Sequence, residues 1–214
     1  MTVLRLVCMQ KTTQEILYWR HSLAGWEQEH GAVIIETPVS LTVNGEEWLS
    51  FMCTPIHLEA LAVGFLFNEG LIESKDEIAD VRVCATGDNV DVWLHHDVEK
   101  PERWWRTSGC TGGATSVGSE PNLADTSSAT PPDRVPVANS QSRVVPIDFM
   151  KLKPQQVNKL MEQVLEAQDL YRLSGGVHSS ALSDGERLLV VAEDIGRHNT
   201  LDKIAGITLM ERIP

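Results

Sequence analysis

The chain has 214 residues, enough for one large domain or two small ones, and 42% of them are apolar, ample for a core. Acidic residues number 30 against 18 Lys and Arg, and the formal charge of −12 excludes broad nucleic-acid binding built on clustered positive charge. No apolar run reaches the length of a membrane span, and the apolar stretch at the start is too short for a secretory signal. Four widely spaced cysteines (Cys8, Cys53, Cys84, Cys110) with no CxxC pair fit free thiols in a reducing cytoplasm, not a disulfide framework.

In chain order, Val33 to Val43 reads as strand, ending in the alternation Val39, Leu41, Val43. Asn44-Gly45 follows, and both types tolerate positive φ, so a tight hairpin turn is expected with Trp48–Cys53 as the return strand. Thr54-Pro55 opens a helix carrying Leu58, Leu61, Ala62, Phe65 and Leu66, with Gly70 as its stop. Val81–Cys84 and Val90–Leu94 form a second hairpin around Gly87-Asp88-Asn89. The stretch from Arg106 to Ser116 is a loop of small residues around Cys110. From 117 to 145 the chain is rich in Ser, Thr, Pro and Ala, the composition of a flexible linker. Pro154 starts a helix that runs to Gly175-Gly176. Val177–Leu182 and Leu188–Ala192 are strands, and Asp194–Asn199 leads into a last helix with Leu201, Ile204, Ala205 and Thr208. The expected fold class is α/β: a small β-rich N-terminal lobe over 1–116 that ends in the Cys110 loop, the linker, and an α/β lobe over 146–214.

Three places carry candidate chemistry. Cys110 is flanked by glycines, so another molecule can approach its sulfur, and a nearby Arg or His would raise its thiolate fraction. His178 follows a Gly-Gly turn and is placed to act as acid, base or donor, or simply to bond a carbonyl. Arg197, His198 and Asn199 open a helix after Gly196, and helix N-termini bind anions through unpaired N–H groups. At helical spacing Asp194 faces His198, and His198 faces Asp202, a pattern that ordinary capping and surface pairing also produce. Cys8, Cys53 and Cys84 lie in strand patterns and read as inert core thiols. His95 and His96 point to opposite faces of a strand end and make a poor metal pair.

Five blocks in this order resemble the FdhD family, accessory sulfurtransferases of formate dehydrogenase: 36–45 (ETPVSLTVNG), Thr54-Pro55 with 61–72 (LAVGFLFNEGLI), 107–110 (TSGC), 174–178 (SGGVH) and 193–203 (EDIGRHNTLDK). The resemblance implies a cytoplasmic homodimer whose second lobe is cytidine-deaminase-like. It implies transfer of persulfide sulfur from a cysteine desulfurase to the molybdenum bis-guanine-dinucleotide cofactor, for use by formate dehydrogenase. By the same resemblance Cys110 carries the persulfide; His178, Arg197, His198 and Asn199 are placed as cofactor-pocket residues on chemical grounds. No resident metal is expected, since the deaminase zinc signature is absent. Two features depart from the family pattern. Many relatives carry CxxC in this loop, whereas here Gly113 stands three residues after Cys110; with a one-residue gap in the alignment Cys110 matches either cysteine of that motif, and in both cases a resolving partner is missing. The chain also stops at Pro214, where relatives continue with further α/β units, so the second lobe is expected to be C-terminally incomplete. Competing readings are a cofactor or guanine-nucleotide chaperone without sulfur transfer, and an inactive fragment.

Overall fold

A computed structural model describes residues 11–101, 104–106, 114–116 and 151–213. Cys8, Cys110 and the expected linker at 117–145 lie outside the described residues. The fold is mixed α/β, as expected.

The centre is a four-stranded sheet in the order β4-β3-β6-β5, built from β3 (Thr37–Val43), β4 (Glu46–Cys53), β5 (Ile78–Val83) and β6 (Asn89–Leu94). β3 pairs antiparallel with β4 and parallel with β6, and β5 pairs antiparallel with β6. The Asn44-Gly45 turn forms as expected, with φ of 50° and 84° at its two positions. Asn44 also ties this turn to the end of β6, donating to His96 O and accepting from Leu94 N. Alternation places Val39, Leu41 and Val43 on the inner face beside Val90, Val92 and Leu94. On β4 the buried positions are Trp48, Phe51 and Cys53. The spacing of three between Trp48 and Phe51 follows from a register shift opposite Leu41/Thr42, which inserts one residue and flips the parity of the strand.

Helix α1 (Leu58–Asn68) lies over the inner face and joins the core through Leu58, Leu61, Ala62, Val63, Phe65 and Leu66. It is apolar on nearly all sides, the pattern of a helix buried between layers. Its outer side packs on α4 (Arg197–Glu211), which in turn covers β9 (His178–Ser183) and β10 (Leu188–Asp194). The layers are therefore sheet, α1, α4 and the β9–β10 hairpin. Expectation and structure part at the start of α1. Thr54 does not cap it; the helix begins at Leu58, after His57 at φ 53°. The Thr54 hydroxyl instead accepts the Ile195 N–H at 3.1 Å, a tertiary bond that outbids the local cap.

The helix expected from Pro154 to Gly175-Gly176 is two helices, α2 (Pro154–Ala167) and α3 (Asp169–Ser174), broken at Gln168. Glu193 on β10 stabilises the break by accepting the Leu170 and Tyr171 N–H groups, the open donors at the start of α3. Before the core, β1 (Thr13–Ser22) and β2 (Gly25–Ile34) form a two-stranded ribbon on which Leu17, Trp19, Leu23 and Trp26 stay exposed. The stretch around Cys110, expected as a loop from Arg106, begins and ends in paired strands: β7 (Trp104–Arg106) runs antiparallel to β8 (Ala114–Ser116), with Arg106 opposite Ala114.

Candidate functional site

The site candidates in the second half come together where β10 ends and α4 begins. His178, the first residue of β9, is paired in register with Asp194, the last of β10, so it sits at the same sheet end as the 194–199 turn. His178 and Arg197 are exposed, His198 is half-buried and Asn199 is buried. The first-turn N–H groups of a helix lack intrahelical acceptors, and its N-terminal end carries partial positive charge. With Arg197 as its first residue, the start of α4 is suited to an anion. Asn199 behaves differently from the expected pocket residue. Its side-chain amide donates to Met52 O and Asp194 Oδ1, both at 2.8 Å, so both amide protons are used inside the fold. Its role is to hold the turn.

Beneath the turn lies a buried charged node. Asp194 and Lys203 are both fully excluded from solvent, with Lys203 Nζ 2.5 Å from Asp194 Oδ2. The expected pairs of Asp194 and Asp202 with His198 are replaced by others: Asp194 bonds Lys203 and Asn199, and Asp202 accepts from Asn68 Nδ2 on α1 at 2.7 Å. Lys203 is the residue that sequence reasoning missed. The available signal was that Asn199, Lys203 and Gly206 recur at helical spacing on one side of α4, so a lysine falls on the face that packs inward.

The described cysteines separate into two kinds. Cys53 is a core thiol as expected, its pKa pushed up to about 12 by burial and, next, by the Asp194 carboxylate. It stays protonated at neutral pH and is a poor nucleophile. Cys84 is not a core thiol. It is half-buried, its thiol donates to Asp88 Oδ1 at 3.0 Å, and its sulfur accepts the Asn89 N–H, so it braces the turn between β5 and β6. The bond from the Cys84 thiol, with one from the Thr86 hydroxyl, holds the Asp88 carboxyl below its usual range. Among the described residues no three His, Cys, Asp or Glu side chains are grouped to hold a metal ion.

Residues 34–214 match the FdhD/NarQ family. The chain belongs to the FdhD/NarQ family. Among its relatives, it is 31% identical over 188 residues to the Sulfur carrier protein FdhD of Staphylococcus haemolyticus, across 87% of this chain and 66% of that one. It is 32% identical over 182 residues to the Sulfur carrier protein FdhD of Bacillus pumilus, across 85% of this chain and 64% of that one. The chain thus spans just under two thirds of the length of these curated relatives. A crystal structure of a formate dehydrogenase accessory protein from Desulfotalea psychrophila shares the fold, with a TM-score of 0.61 at 22% identity over 94% of this chain and 69% of that one. All but the last residue of the β1–β2 ribbon precedes the stretch that matches the FdhD/NarQ family.

Proposed function

We propose that the chain is a sulfur carrier in which Cys110 takes up sulfur as a persulfide and passes it to a formate dehydrogenase cofactor. The observation that carries this reading is membership of the FdhD/NarQ family together with relatives named as sulfur carriers at 30% identity or above. The chemistry of the two described thiols supports it: Cys53 is held in its protonated form and Cys84 is engaged in a turn.

In the uptake step the Cys110 thiolate attacks the outer sulfur of a desulfurase persulfide. A new S–S bond forms on Cys110, the donor's S–S bond breaks, and the donor cysteine leaves as a thiolate, with no net oxidation or reduction. Handing that sulfur on as a sulfido ligand of molybdenum takes two electrons, for which a thiol reductant is the natural source. The substrate cofactor carries guanine-dinucleotide phosphates. The N-terminal turn of α4, with Arg197, is the proposed seat of one phosphate, with His178 and His198 flanking it. The donor is a cysteine desulfurase, the client is formate dehydrogenase, and the setting is the cytoplasm, in which two copies pair. No helix among the described residues is long and apolar enough to cross a membrane.

Reconstitution tests the reading. A desulfurase, cysteine, this protein and a sulfur-free formate dehydrogenase are mixed and formate oxidation is followed. Wild type is expected to restore activity and Cys110→Ala to leave it at the level without carrier. Equal restoration by the two proteins contradicts the reading.

A further inference from the structure

Asp194 and Lys203 are a fully buried ion pair, and such a pair is a poor device for stability alone, because apolar side chains of similar volume serve as well or better. The hydrogen bonds point to what the pair holds. Asp194 Oδ1 accepts the Gly196 N–H at 2.7 Å and Asn199 Nδ2 at 2.8 Å. Its Oδ2 accepts the Thr54 N–H at 3.1 Å and Lys203 Nζ at 2.5 Å. The ammonium then donates to Thr54 O at 3.1 Å and to Glu193 O at 3.3 Å, which uses all three of its protons. Every partner belongs either to the residues on both sides of Arg197 and His198 or to the end of β4 that backs them. The Thr54 hydroxyl and Met52 O extend the same grip to Ile195 and Asn199.

We propose that Asp194 and Lys203 are positioning residues, which fix the Gly196–Asn199 turn so that Arg197 meets a phosphate-bearing ligand in a preset geometry. This rests on the phosphate seat argued above. A preset donor array binds more tightly because less motion is frozen on binding. The pair also clamps both sides of the turn at once. The carboxylate takes the N–H groups of Thr54 and Gly196, and the ammonium takes carbonyls of Thr54 and Glu193. An apolar pair of the same volume would fill the space without directing any of these groups.

The test is a double-mutant cycle with GDP as the probe, read by calorimetry. Asp194→Asn with Lys203→Met removes both charges together, so neither remains buried alone. Arg197→Ala in the wild type is expected to weaken GDP about tenfold, and the paired variant to weaken it similarly. In the paired background Arg197→Ala is expected to change affinity by less than about twofold, because an unfixed arginine has little left to lose. Additive losses, or full affinity in the folded paired variant, overturn the proposal. If the paired variant does not fold, Thr54→Val takes its place. It deletes only the acceptor of the Ile195 N–H; weaker GDP binding is expected, and unchanged affinity overturns the proposal. If the wild type itself does not bind GDP, the phosphate seat fails, and hydrogen exchange decides the positioning claim. Faster exchange of the Thr54 and Gly196 amides in the paired variant, relative to β3 and β6, upholds it; unchanged exchange defeats it.

Discussion

At Asp202 one side chain reports on the packing around it. Burial raises its carboxyl pKa from 3.8 to about 6, against a smaller opposing effect from the Asn68 amide and with a further rise from Glu69 and Asp194. The folded state therefore holds this proton where the unfolded chain has released it. The stability it contributes is complete below about pH 4 and lost as the pH rises to about 6. Above that pH a carboxylate sits half-buried. Asp202→Asn keeps the size of the side chain and removes the charge. It is expected to flatten the fall in stability between pH 4 and 6 and to gain on the order of 1 kcal/mol at pH 8. Urea unfolding across that pH range measures both, and a profile identical to wild type would refute the assignment. At this scale the sequence displayed His178, Arg197 and Asn199 as candidates because they stand in compact polar motifs at strand and helix ends. It did not display the Asp194–Lys203 node, since Asp194 also answers to Thr54, 140 residues earlier, and no local spacing encodes that contact. Asn199 shows the converse: its place in the motif was legible, but its inward direction depends on Met52, equally remote in sequence.

Among the elements, α1 and α4 cross where neither can carry a side chain. A Cβ on Gly206 would stand 1.9 Å from Ala60 O, and one on Gly64 would stand 1.7 Å from Asp202 O. Backbone meets backbone at both points, so no rotamer change relieves the clash. Gly206→Ala is expected to lower stability by about 3 kcal/mol or more, as the helices separate and the α1 core loosens. Chemical denaturation reads this directly, and a loss under about 0.5 kcal/mol, typical of a surface site, would show that the crossing is not tight. The elements themselves were largely legible. Asn44-Gly45 has a single strong local preference, and the apolar alternation of β3 and β6 has a single period. The misreadings fall where a distant group intervenes. Thr54 had a cap's chemistry but found Ile195, and the helix from Pro154 breaks because Glu193 offers the start of α3 two acceptors. Cys84 looked like a core strand residue because the pattern around it is apolar, yet it lies just past the end of β5 and turns into the Asp88 network.

For the whole molecule, residues 54–68 and 194–206 are one packed unit although some 130 residues separate them: Thr54 bonds Asp194 and Ile195, Asn68 bonds Asp202, and the two glycines interlock. The β9–β10 hairpin reaches the main core through α4. Fluorescence of Trp48 and Trp93 on the central sheet, read in a variant whose other four tryptophans are replaced by Phe, and hydrogen exchange in α4 are therefore expected to give one coincident unfolding transition. Two separated transitions would mean that the layers do not share a core. The carrier reading sets a second demand, which falls on Cys110. Under the proposed function this thiol, and neither Cys53 nor Cys84, accepts the sulfur. Intact-mass measurement after incubation with a desulfurase and cysteine tests it most directly. One added sulfur is expected on the wild type, retained by Cys53→Ala and Cys84→Ala and missing from Cys110→Ala. A sulfur adduct on Cys110→Ala equal to that of the wild type would contradict it.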